Sequence, residues 1–162
     1  MVFLLLVPAG LIAVLGLAGY GLGTLGRSGV RGAGREVRLK SGAALLGACA
    51  VAMYTWGLMH VAGAVIEAED GGTDSAPLRP CRSPGPWDRA LHVVGYRVEY
   101  VPLGFVCETK DGGSYTAASV PGYVNPAAVG FALGAVVCAG AAAVESERRA
   151  RKAQGAQHPV RT

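Results

Sequence analysis

The fold is decided by residues 67–123, which read EAEDGGTDSAPLRPCRSPGPWDRALHVVGYRVEYVPLGFVCETKDGGSYTAASVPGY. This is the longest polar stretch of the chain. Three runs without Asp, Glu, Lys or Arg flank it, at residues 1–22, 41–66 and 124–144. Each run has the roughly 20 residues that an α-helix needs to cross the ~30 Å hydrocarbon core of a bilayer. We therefore predict three transmembrane helices, with the polar stretch between the second and the third.

The composition favours a membrane protein over a soluble domain. Of the 162 residues, 51% are hydrophobic and 16% are charged, and the mean hydropathy is +0.36. Soluble domains usually carry about 25% charged residues. Here the charged residues are concentrated between and after the apolar runs. The lipid bilayer is therefore the first predicted partner, and the chain is predicted to be a multi-pass protein of the plasma membrane.

The charged residues also predict an orientation. Residues 23–40 hold five basic residues against one acid, and residues 145–162 hold five against two. Residues 67–123 hold five basic residues against eight acids, so this stretch alone is net negative. Basic segments beside transmembrane helices tend to stay in the cytoplasm. We predict a basic cytoplasmic loop at 23–40, a basic cytoplasmic tail at 145–162, and an extracytoplasmic N-terminus and 67–123 stretch.

Within the polar stretch, the side-chain pattern predicts a β-rich module. Prolines dominate residues 77–88 and favour extended or turn backbone. Apolar and polar side chains alternate over residues 93–101, which indicates a half-buried strand. Two further strand candidates, 104–109 and 114–120, are joined by the turn signal KDGG at 110–113. We predict a three-stranded antiparallel meander.

The four cysteines fall into two classes. Cys81 and Cys107 lie in the predicted outer module, where an oxidising environment favours a disulfide, and Cys49 and Cys138 lie in predicted helices. A Cys81–Cys107 bond would add roughly 3 kcal/mol of stability. A module this small has a marginal core, so a structural disulfide is the favoured interpretation. The alternative is a thiol–disulfide redox protein, although such proteins usually carry Cys-x-x-Cys, which this sequence lacks.

Small residues predict where helices pack. Gly19 and Gly23 form a GxxxG pair, and Gly130, Gly134 and Cys138 recur every four residues on one face of the third helix. Such faces allow two helix backbones to approach closely. We predict that both sets of residues contact another helix.

His60 is the one histidine inside a predicted transmembrane helix. An ionisable side chain at membrane depth points to function by default. A transporter or channel subunit with His60 on the conducting face is therefore a weaker alternative. The competing interpretation is a neutral, hydrogen-bonded histidine near the interface, since Glu67 follows within two helical turns.

Other chemistry is not indicated by the sequence. There is no Walker loop, no GxGxxG opening a helix after a strand, no HExxH and no GxSxG. The three histidines are predicted on different sides or depths of the membrane, so no metal site, cofactor or catalytic residue is predicted. No aromatic residues are interleaved with the basic ones, so nucleic acid is not a predicted partner.

The chain resembles the small, uncharacterised multi-pass membrane proteins of high-GC actinobacteria such as Streptomyces. The resemblance is carried by the Ala/Gly/Arg/Val bias, by VEYVPLGFVCETKDGGSY at 98–115 and by VPGYVNP at 120–126. It implies a membrane-protein architecture and no particular activity. The functional hypothesis is accordingly a non-enzymatic accessory subunit that presents its outer module to another membrane or envelope protein.

Overall fold

The computed structural model describes residues 2–29, 34–70, 76–82 and 87–157. Three long helices and a small antiparallel sheet make up most of these residues. The elements in chain order are α1 (Val2–Ser28), α2 (Arg35–Glu69), a 3-10 helix (Arg79–Arg82), α3 (Trp87–Leu91), β1 (Val93–Tyr100), β2 (Leu103–Thr109), β3 (Ser114–Thr116) and α4 (Val124–Gln157). The predicted architecture of three long apolar helices with a β-rich insertion is confirmed.

The helices extend beyond the apolar runs, which corrects the loop predicted at residues 23–40. α1 continues to Ser28 and α2 already begins at Arg35, so only a short connection separates them. Arginine and lysine are good helix formers. An i,i+4 pair between Glu36 and Lys40, 2.7 Å apart, adds to the first turns of α2.

The chain divides into two compact units, which we describe separately. The second unit comprises residues 12–51 and 129–162. In it, the hydroxyls of Thr24 and Ser41 are 2.6 Å apart and join α1 to α2. The Glu36 carboxylate also lies 3.4 Å from the Arg149 guanidinium, which joins α2 to α4 at their basic ends.

The first unit comprises residues 1–11 and 52–128 and contains the sheet. Its strand order is β1-β2-β3, and both pairs are antiparallel. The predicted meander is thus confirmed, but β3 ends at Thr116 instead of residue 120. One further backbone bond follows, from Ala117 N–H to the Phe105 carbonyl at 2.8 Å, and the chain then turns away. The helix α3 was not predicted, because the proline-rich sequence before it favours extended backbone.

The core of the first unit joins the sheet to α2. Phe105, Cys107 and Cys81 are buried against Ala64 of α2 and Ala117. Tyr96 stacks on Phe105 with ring centroids 4.8 Å apart, and its hydroxyl donates to Glu69 at 2.7 Å. This hydrogen bond to the Glu69 carboxylate raises the pKa of Tyr96. The C-terminal turns of α2 therefore belong to the core of the β-rich module.

A second cluster of buried apolar side chains lies closer to the N-terminus of α2. Leu103 packs there with Leu58 and Val61, and all three side chains are buried. Leu103 and Val124 approach α2 at Gly57, where a Cβ would lie 2.6 Å from one side chain and 2.8 Å from the other. Only a glycine allows β2 and the start of α4 to come so close to this helix.

Candidate functional site

The predicted pair Cys81 and Cys107 forms a disulfide, with the two Cα atoms 6.0 Å apart. The exposed fractions of the two residues are 2% and 0%. Disulfide exchange requires that a thiolate reach one of the sulfurs. A pair enclosed in the core in this way is suited to holding the 3-10 helix on β2, which is a structural role.

Tyr115 makes a second contact between the sheet and the 3-10 helix. Its hydroxyl donates to the Cys81 carbonyl at 2.6 Å, and the Arg89 guanidinium lies 5.6 Å from the centre of its ring. Burial raises the pKa of the Tyr115 phenol, and the positive charge of Arg89 opposes that rise. The neutral phenol is the form that donates to the carbonyl, so the environment favours the protonation state that the contact needs.

His60 lines a cleft of about 450 Å³ between α2, the 3-10 helix and the turn that follows β3. Its ring lies edge-on to Trp56, with centroids 5.0 Å apart and planes at 85°. Glu67, Arg79 and Ser119 supply further polar groups to this cleft, which we call the His60 cleft. His60 was singled out from the sequence, but no pattern in the sequence indicated that Arg79 and Ser119 would lie beside it.

A second cleft of about 440 Å³ lies at the end of the sheet where Val93 pairs with Thr109. We call it the Asp111 cleft; it is lined mainly by polar and charged side chains, including Asp88, Arg89, His92, Asp111 and Ser114. The His92 ring is fixed by a 2.7 Å hydrogen bond between Nδ1 and the Asp88 carbonyl. The sequence did not reveal this cleft, because α3 and the β2–β3 turn come together only in the fold.

The residues predicted to pack helices differ in their surroundings. A Cβ on Gly134 would lie 3.2 Å from Leu46 of α2, and the Cys138 sulfur is 4.0 Å from the equivalent position on Gly42. Around Gly23 the nearest side chain is Arg27 of the same helix. Among the described residues, none approaches within 4 Å of a Cβ built on Gly19 or Gly130. Their contact with another helix stays a prediction.

Within the parts of the chain that the structure describes, no group of three or more His, Cys, Asp or Glu side chains is arranged to hold a metal ion. The fold defines a class of protein: three helices long and apolar enough to cross a membrane, with a small disulfide-linked sheet inserted between the second and third. No family model, no curated protein and no solved structure matches the chain.

Proposed function

We propose that the protein is a three-pass plasma-membrane protein that acts as a non-enzymatic accessory subunit. Its N-terminus and sheet lie outside the cytoplasm and its C-terminus lies inside. The sheet and the residues packed around it form a rigid module that contacts another membrane or envelope protein.

Exposed apolar side chains support the membrane assignment. Large hydrophobic residues of α1 and α4 are half to three-quarters exposed along the helices, among them Leu5 at 76%, Ile12 at 71%, Leu15 at 73%, Leu133 at 62% and Val137 at 69%. Such continuous apolar surface along the apolar runs of two helices is not compatible with water. Lipid or a neighbouring helix accounts for it.

The charges support the orientation. The Arg149 and Glu36 contact belongs to a net-positive group of side chains at one end of α2 and α4. Along the chain, the apolar runs of α2 and α4 separate this group from residues 67–123, which carry eight acids against five basic residues. The positive-inside rule assigns the first end to the cytoplasm and the sheet to the outside.

The observation that carries the interaction role is the Asp111 cleft. It lies at the end of the sheet opposite the β1–β2 turn, and its lining residues Asp88, Arg89 and His92 are exposed. Small-molecule sites are lined mainly by hydrophobic and aromatic residues, whereas every residue that lines this cleft except Gly113 carries a charged, imidazole or hydroxyl group. The polar rim of a protein–protein contact has that chemistry.

Photo-cross-linking in intact cells tests the interaction role. A photoreactive amino acid in place of Asp111 is expected to give a discrete adduct with one partner protein, and a further Arg89→Ala substitution should reduce that adduct strongly. The matched controls carry the probe at Ala118 in the His60 cleft or at Arg97 on the exposed face of β1. No adduct from Asp111 in a protein that retains its disulfide, or one unaffected by Arg89→Ala, would contradict the role.

A further inference from the structure

The turn between β1 and β2 is unusually apolar for a surface turn. It consists of Tyr100, Val101, Pro102 and Leu103, which we call the hairpin tip. Val101 is 89% exposed, more than any other large hydrophobic side chain in the described part of the chain. Water does not favour such a side chain at a prominent turn, where Gly, Asn and Asp are usual.

The hairpin tip lies beside the middle of an apolar helical run and not beside its end. Tyr54 of α2 donates its hydroxyl to the Tyr100 carbonyl at 2.9 Å, and Leu103 packs on Leu58. The charge-free run of α2 continues for 12 residues beyond Tyr54, as far as Ile66. At 1.5 Å per residue, the run extends about 18 Å past this contact.

The start of α4 fixes where the edge of the hydrocarbon crosses α2. The charge-free part of α4, residues 124–144, is about 31 Å long and matches the full hydrocarbon thickness. Its first residue, Val124, packs at Gly57 of α2. Val124 therefore places the outer edge of the hydrocarbon near the level of Gly57 on the side of α2 that faces α4, and Ala64, two turns further along α2, is buried in the core of the module.

Side chains of α2 and α4 hydrogen-bond three backbone groups of the hairpin tip. The Leu103 N–H donates to the Asn125 side-chain oxygen at 3.0 Å, and the Asn125 amide donates back to the Leu103 carbonyl at 2.9 Å. The Tyr100 carbonyl is satisfied by Tyr54, and Pro102 has no N–H. In lipid, each unsatisfied backbone group costs several kcal/mol. In water, solvent would satisfy the same groups without these side chains.

Aromatic residues gather at the same level. Tyr54 and Tyr100 are hydrogen-bonded there, Trp56 is 47% exposed one residue before Gly57, and Tyr123 is 59% exposed one residue before Val124. Tyrosine and tryptophan are enriched where hydrocarbon meets headgroups, since their rings are apolar and their hydroxyl or N–H groups are polar.

We propose that the hairpin tip is seated in the outer interface of the bilayer, with Val101 in contact with lipid. This inference rests on the proposed membrane topology. The module is then bound to the membrane at three points, by α2, by α4 and by the hairpin tip. The Asp111 cleft, at the opposite end of an eight-residue strand, is held roughly 25 Å away from the interface.

Quenching of tryptophan fluorescence by brominated lipid tests this proposal. Val101→Trp is made in the full chain with Trp56→Phe and Trp87→Phe and reconstituted in phosphatidylcholine vesicles, with or without lipid brominated near the headgroup end of the acyl chain. Leu133→Trp on α4 is the lipid-facing control. Val94→Trp, 60% exposed at the other end of β1, is the water-facing control. Formation of the Cys81–Cys107 disulfide checks that each variant folds.

We expect Val101→Trp to lose a fraction of its emission comparable to that of Leu133→Trp and several times that of Val94→Trp. Quenching of Leu133→Trp without quenching of Val101→Trp overturns the inference and leaves the membrane topology intact. Absence of quenching in both overturns the topology itself. If Val101→Trp does not form the disulfide, a dye on Val101→Cys, with Cys49→Ala and Cys138→Ala, replaces it; a water-like emission maximum then contradicts the proposal.

Discussion

Joint replacement of Cys81 and Cys107 by Ser is expected to unfold the module while the long helices remain. The bond joins residues 26 positions apart, and a closed loop of that size contributes roughly 3–4 kcal/mol in the chain-entropy model. Two serine hydroxyls would also be enclosed in an apolar core, which costs about 1–3 kcal/mol for each group without a partner. Together these losses exceed what a small core can supply.

Limited proteolysis of the detergent-purified protein measures this effect. Rapid cleavage between residues 76 and 123 is expected for the double variant, whereas Cys49→Ser, at an exposed cysteine of α2, should be cleaved as slowly as the parent protein. A double variant that resists protease as the parent does would show that the disulfide is not structural. If that folded variant also failed to exchange disulfides in cells, the redox alternative would replace the present account.

Phe105→Ala is expected to destabilise the module nearly as much as the joint replacement of Cys81 and Cys107. Phe105 is 0% exposed, stacks on Tyr96 and packs against the disulfide and Ala64. Truncation of a buried phenylalanine costs about 3–5 kcal/mol, because the apolar transfer energy is lost and a cavity remains. The loss of stability should be larger than for truncation at most other core positions, because the Phe105 ring lies between the sheet and α2.

Denaturant titration followed by protease resistance of the module gives the change in the free energy of unfolding. Val94→Ala on β1 is the matched control, since its side chain is 60% exposed and should change the stability by no more than about 0.5 kcal/mol. Equal stability of the two variants would mean that Phe105 is not the centre of the core.

Local patterns in the sequence were sufficient for the strands and the disulfide. The alternation over residues 93–101 predicted the bounds of β1, Val93–Tyr100, almost to the residue, although burial does not alternate along the strand and none of its residues is fully buried. The pairing of Cys81 with Cys107 was predicted because both lie in the polar stretch, whereas Cys49 and Cys138 lie in the apolar runs. The early start of α2 was missed because the glycines and arginines of residues 23–40 were interpreted as a loop, although α1 continues to Ser28 and α2 begins at Arg35.

The sites depended on contacts that local patterns do not encode. Tyr54 and Tyr100 are 46 residues apart in the chain, and Asn125 and Leu103 are 22 apart. Nothing in the sequence of β2 indicates that Leu103 will be hydrogen-bonded by a side-chain amide from α4. His60 was identified by its chemistry alone, whereas the cleft around it also needs the 3-10 helix and the turn after β3.

Thiol labelling of intact cells with a membrane-impermeant maleimide tests the central claim, that the sheet faces the outside, most directly. In a Cys49→Ala, Cys138→Ala background, Val94→Cys lies on β1 and Lys152→Cys lies near the end of α4, and both native side chains are exposed. If the sheet faces the outside, Val94→Cys is labelled in intact cells and Lys152→Cys is labelled only after permeabilisation. Labelling of Lys152→Cys but not Val94→Cys in intact cells would contradict it.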